Sequence, residues 1–238
     1  MPEYDMYKLD LHYVTMTRYD ETFQNIDVLF TKNNLTNTLG QVLAEAGKTQ
    51  TRIAETEKYP HVTFFFNGGR EEPFDHENHI LIPSPKVDTY DLKPEMSAYE
   101  VTDAIVKDIE DNQPDFICLN YANADMVGHT GVFEAAVKAA EAVDTCTRRL
   151  VETALEHDYE LIIIADHGNS DYMVNDDGSP NTAHTKNPVP CIYVSKNAQG
   201  AKLREGKLGD IAPTILHLYG IDLPTEMDGD VLILNHNT

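Results

Sequence analysis

With 238 residues, 41% of them hydrophobic, the chain is long enough for one α/β domain, or for one domain and a piece of another, and global disorder is excluded. Its 18 Lys and Arg against 40 Asp and Glu give a net charge of −22, which argues against nucleic acid and anionic membranes as partners. A phosphorylated substrate would be repelled as well, unless bound metals and a few placed cations offset the field.

The predicted elements follow in chain order. A partly alternating run, Leu9 to Met16, predicts a strand, and a polar stretch continues to Asn34. A helix is expected from Leu35 to Ala46, capped by Asn34 and stopped by Gly47. Strands are expected at Gln50 to Ala54 and at His61 to Phe66, the second broken by Asn67-Gly68-Gly69. The segment from Arg70 to Pro94 reads as a long connection with short strands. A capping box, Ser97 to Glu100, opens a helix that runs to about Asp111. Then come a strand from Asp115 to Asn120, a long helix from about Val132 to His157, and a strand from Glu160 to Ala165. A strand at Val189 to Ser195 and a helix at Ile211 to Tyr219, capped by Asp210, complete the order.

Cys118, Cys146 and Cys191 are odd in number and lack metal-type CxxC spacing, so buried free thiols are expected, as suits a reducing cytoplasm. The opening MPEYDMYKLD shows no signal-peptide pattern. The longest aliphatic run, Leu161 to Ala165, is far too short to span a bilayer.

The alternation of strand and helix predicts a layered α/β fold, which places sites at the carboxyl ends of strands. Polar residues directly after strands therefore stand out. In NYANADMVGHTG, Asp125 and His129 are four apart, so a helical turn projects both from one face. In LIIIADHGN an aliphatic strand ends in Asp166-His167, and Gly168 allows a tight turn that converges both side chains. In NTAHTK, His184 sits in a turn-rich loop. Carboxylates mixed with imidazoles suit Mn²⁺ or Zn²⁺. Five donors are too many for one site with an open position, so two metals are expected, an arrangement that stabilises phosphoryl transfer.

The strings NADMVGHTG, ADHGN and TAHT resemble the metal-binding motifs of the cofactor-independent (2,3-bisphosphoglycerate-independent) phosphoglycerate mutases, of the alkaline phosphatase superfamily. RIAETEKYPHVTFFFNGG and the tail from Gly209 to Asp230 resemble further signatures of that family. The resemblance implies a three-layer αβα sandwich of alkaline-phosphatase type, here missing its N-terminal strand. It implies interconversion of 3-phosphoglycerate and 2-phosphoglycerate in glycolysis and gluconeogenesis through a phosphoserine. It assigns Asp125, His129 and His184 to one Mn²⁺, and Asp166 and His167 to part of a second site, expected to be weak or empty; Zn²⁺ or Co²⁺ share these donors. Lys58, in ETEKYPH, matches a lysine that contacts the phosphate and the nucleophile.

Family members are about twice as long. Their nucleophile motif, Gly-Met-Gly-Asn-Ser-Glu, surrounds none of Ser84, Ser97, Ser170, Ser179 and Ser195, and their substrate-binding arginines are not matched. Residues 1–32 are therefore read as the remnant of a transferase domain and its return linker, and 33–238 as the C-terminal part of the metal-binding phosphatase domain. The expectation is a chain that binds metal and is inactive by itself. The alternatives are a non-catalytic metal-binding module, a half enzyme complemented by a separate N-terminal chain, and a related hydrolase or phosphopentomutase. Self-association through an exposed sheet edge is also expected.

Overall fold

The structure is a computed structural model, and it describes residues 9–18, 22–30 and 35–234. The chain divides into two compact units, Met1–Leu35 and Thr36–Thr238. In the first, β1 (Tyr13–Thr17) pairs in parallel with β2 (Ile26–Phe30). The expected helix cap Asn34 and the expected domain boundary near Lys32 lie outside the described residues.

The second unit runs through α1 (Leu39–Glu45), β3 (Gln50–Glu55), α2 (Tyr59–Val62), β4 (Glu77–Ile82), α3 (Ala98–Asn112), β5 (Phe116–Asn120), α4 (Asn123–Gly128) and α5 (Phe133–Glu156). It continues through β6 (Leu161–Ile164), β7 (Cys191–Val194), β8 (Lys202–Leu203), α6 (Ile211–Leu218) and β9 (Ile233–Leu234). Every residue of β3 is buried, as befits the middle strand of a parallel sheet ordered β4-β3-β5. β6 and β7 form a separate antiparallel pair, and β8 pairs with β9.

Side chains alternate across the sheet, and each face finds its own helices. Ile53, Ile80, Ile82, Ile117 and Leu119 pack against Val101, Ile105 and Ile109, which recur every four residues along α3. Full burial of each of these side chains stabilises by roughly 1.5–3 kcal/mol. On the opposite face Phe116 joins Leu39, Val42 and Leu43 of α1 and Leu216 of α6. The result is helix, sheet, helix, the layering that the alternation of elements predicted.

That second face also holds a buried ion. The Arg52 guanidinium lies 4.4 Å from the Phe66 ring and 5.0 Å from the Phe116 ring. Its Nη2 donates to Gln50 Oε1 at 2.7 Å and stands 3.5 Å from Glu77 Oε2; both charged side chains are 0% exposed. Glu77 Oε1 also accepts from Asn67 Nδ2 at 2.7 Å and meets His79 Nε2 at 2.5 Å.

Several expectations are corrected. The segment His61 to Phe66 is not a strand. Pro60 near the start of α2 favours a helical turn, and its carbonyl accepts from Phe65 N, as Thr63 O does from Asn67 N. The expected capping box at Ser97 does not form: the Ser97 hydroxyl donates to Pro83 O, and its N–H turns to Glu55 Oε1. Asp210 starts α6 without capping it by its side chain, which instead accepts from Lys207 N and Asp230 N. The first expected helix begins at Leu39, after Thr38, rather than at Leu35, while Gly47 takes the left-handed φ of 73° expected of a helix stop. All three cysteines are free, but only Cys146 is fully buried. No helix among the described residues is long and apolar enough to cross a membrane.

Candidate metal centre

β5 ends at Asn120, and the chain turns at once into α4. This six-residue helix is too short to hold itself. It is seated by Ala122 and Val127, which pack with Met96, Ala135, Ala136, Ala139 and Met173. With the helix fixed, the four-residue spacing brings Asp125 Oδ1 and His129 Nε2 to 3.1 Å. His184 arrives from a loop 55 residues further on, and its Nε2 stands 3.1 Å from both Asp125 Oδ1 and His129 Nε2.

Three donor atoms thus lie within 4.8 Å of one another. Ligand atoms around a tetrahedral ion with bonds of about 2.1 Å are separated by about 3.4 Å. The His129 Nδ1 donates to Thr182 O at 2.7 Å, which turns the Nε2 lone pair inward. Two imidazole nitrogens and a carboxylate oxygen converging in this way fit a divalent cation.

Lys58 is 5% exposed, although composition alone would put it in solvent. Its ammonium donates to Asp125 Oδ2, while Asn169 Nδ2 donates to Asp125 Oδ1 at 2.8 Å. Burial pushes the Asp125 carboxyl up, but Lys58, Asn169 and His129 together outweigh it and hold its pKa at about 2. The Asp125 carboxylate is therefore ionised across the working pH range.

The second expected set is looser. Asp166 Oδ2 and His167 Nε2 are 3.6 Å apart. The His167 ring stacks on His184, with centroids 3.7 Å apart and planes at 21°, so the two sets adjoin. Among the described residues, the three-donor grouping is found at Asp125, His129 and His184. Ser170 donates its hydroxyl to Ala124 O. One residue beside the site was not singled out by sequence: His61, one turn after Lys58, feels the charges of Lys58, Asp166, Asp125 and His167, and burial leads in lowering its pKa. Its position in ETEKYPH, three residues after the lysine, was the available signal.

Glycine matters at a close approach beside the site. A Cβ on Gly128 would lie 2.4 Å from the Oδ1 of Asn169, which is itself 4% exposed. Gly→Ala inside a helix normally stabilises by roughly 0.8–1 kcal/mol. Here the sign is expected to reverse: Gly128→Ala forces Asn169 aside and should cost about 1–3 kcal/mol. A rise in the melting temperature of Gly128→Ala would contradict this contact.

Comparisons with known proteins agree with this geometry. A family model described as the metalloenzyme superfamily matches residues 1–223. A 2,3-bisphosphoglycerate-independent phosphoglycerate mutase of Flavobacterium johnsoniae is 61% identical over 225 residues, covering 94% of this chain and 44% of the relative. The corresponding protein of Bacteroides thetaiotaomicron is 58% identical over 234 residues, covering 98% of this chain and 46% of the relative. The chain thus spans about half the length of the curated relatives it matches. A crystal structure of Leishmania mexicana phosphoglycerate mutase, at low cobalt concentration, superposes with a TM-score of 0.81 at 29% identity, over 93% of this chain and 44% of that one. The layered fold is therefore of alkaline-phosphatase type. The chain belongs to the metalloenzyme superfamily, and within it resembles the C-terminal half of a 2,3-bisphosphoglycerate-independent phosphoglycerate mutase.

Proposed function

We propose that this chain supplies the metal-holding part of a phosphoglycerate mutase site and does not complete the reaction by itself. The observation that carries this reading is the convergence of Asp125 and His129, from α4 and its C-terminal end, with His184, from a distant loop, on one point. A divalent ion there, Mn²⁺ or its substitutes Zn²⁺ and Co²⁺, would offset phosphate charge. Asp166 and His167 contribute part of a second site. Lys58 neutralises one Asp125 oxygen and stands ready to meet a phosphate oxygen of phosphoglycerate as a point charge. These cations answer the repulsion that a net charge of −22 sets against an anionic substrate.

The inactivity half of the proposal rests on the nucleophile, since no serine of this chain carries the family motif. An enolase-coupled assay with added Mn²⁺ is expected to show no turnover at ordinary enzyme rates, while calorimetry shows Mn²⁺ binding. Robust mutase turnover by the purified chain would refute it.

A second reading is a half enzyme completed by another chain. Its support is the sheet: among the described residues, β5 pairs only with β3, and β6 only with β7, which leaves an open edge on each. Open edges template strand addition, by a separate N-terminal chain or by a second copy. Sedimentation of the purified chain, alone and mixed with an N-terminal half from a relative, separates these cases from a lone monomer.

A further inference from the structure

The loop after β6 does more than present Asp166 and His167. Asn169 Nδ2 reaches back to α4, donating to Asp125 Oδ1 at 2.8 Å and to Asp125 O at 3.2 Å. Ser170 Oγ donates to Ala124 O on the same helix. In the other direction, the Asp171 carboxylate accepts from Thr185 Oγ1 at 2.9 Å and from Asn187 Nδ2 at 2.6 Å. Gly168 O accepts from Thr185 N at 2.8 Å, so a backbone bridge backs the side-chain bonds. Thr185 directly follows His184. One short loop therefore grips the Asp125 carboxylate on one side and the segment carrying His184 on the other.

We infer that Asn169 and Asp171 are positioning residues for the first metal site. Asn169 sets the rotation of the Asp125 carboxylate, and Asp171 holds the His184 loop at the reach its Nε2 needs. The inference rests on the proposed metal site, and it adds that the stretch bearing Asp166 and His167 also sets the affinity of its neighbour. The packing is tight enough for this role: a Cβ on Gly168 would fall 2.1 Å from Thr185 Oγ1 and 2.5 Å from Asp171 Oδ1. No slack is left between the two loops. Supporting groups of this kind set ligand orientation, and their loss costs roughly 10–100-fold in metal affinity.

The test is Mn²⁺ titration of the full chain, read by calorimetry or by the electron paramagnetic resonance of free Mn²⁺. Asn169→Ala and Asp171→Ala are each expected to weaken binding about 10–100-fold. Asp171→Asn keeps an oxygen for Asn187 and offers its amide to Thr185 Oγ1, so it is expected to recover most of the affinity. Thr185→Val in the Asp171→Ala background should add little, because the two residues act as one brace. Metal-free melting temperatures should stay close to that of the parent chain. Wild-type affinity in both alanine variants would overturn the inference. So would an Asp171→Asn variant that binds no better than Asp171→Ala, or alanine variants that lose affinity only because their metal-free fold melts. If the parent chain itself binds no Mn²⁺, the proposed metal site fails. If the parent binds, Asp125→Asn does not, and the two alanine variants bind normally, the positioning roles alone fail.

Discussion

Glu77→Ala is expected to cost about 3–5 kcal/mol of folding stability. Nothing about the metal site is involved. Arg52 is 0% exposed and sandwiched between Phe66 and Phe116, and Glu77 is its counter-charge across the β3-β4 pair. Removing the carboxylate strands a guanidinium that burial already disfavours, its pKa being lowered chiefly by desolvation. Asn67 and His79 lose their acceptor at the same time. Chemical denaturation of the variant, monitored by circular dichroism, reads the loss; a change below about 1 kcal/mol would mean the guanidinium finds other partners. Arg52→Met together with Glu77→Met removes both charges, and is expected to be far milder than either single change.

The same carboxyl gives a direction with pH. Burial pushes the Glu77 pKa up, but His79, Arg52 and Asn67 pull it below the ordinary 4.5. The unfolded chain therefore takes up the proton more readily than the folded one. The stabilisation is fully present above pH 4.5 and drains away as pH falls through the folded-state pKa. Glu77→Gln should flatten that acid limb of the stability curve.

Asp125→Asn is expected to weaken divalent-metal binding by more than about 100-fold, beyond what loss of a mere supporting partner costs. The carboxylate supplies the one anionic donor of the set, and both imidazoles lean on its Oδ1. A neutral amide also leaves Lys58, 5% exposed, without its counter-charge, so the metal-free protein should melt lower as well. Lys58→Met separates the two effects. It keeps all three donors, and metal binding is expected to persist. Titration of both variants with Mn²⁺ decides the matter: retained affinity in Asp125→Asn would move the ion elsewhere.

Much of this site was legible because its logic is local. The four-residue spacing of Asp125 and His129 survives in α4, and the aliphatic strand ending in Asp166-His167 does end there. His184 was different. Its loop gives no periodic signal, and only the fold closes the gap between it and Asp125. Lys58 reads as a solvated lysine by composition, and only resemblance drew it into the site. The Phe64-Phe65-Phe66 run misled, because aromatic residues favour strands in general while Pro60 and a run of short-range hydrogen bonds here wind a turn. Ser97 had the spacing of a cap, but the buried Glu55 and the Pro83 carbonyl claimed its polar groups first. Local propensity lost wherever a distant partner offered a buried hydrogen bond.

His129 and His184 stand 55 residues apart in sequence, yet share one point in space. An ion seated between them works as a removable staple across α5, β6 and the loop beyond. Because the unfolded chain cannot assemble that point, free ion at a hundred times its dissociation constant adds about 2.7 kcal/mol against unfolding. Durability in storage then becomes a property of the buffer. If the proposed ion binds, a chelator is expected to lower the melting temperature without touching a covalent bond, and added Mn²⁺ to restore it.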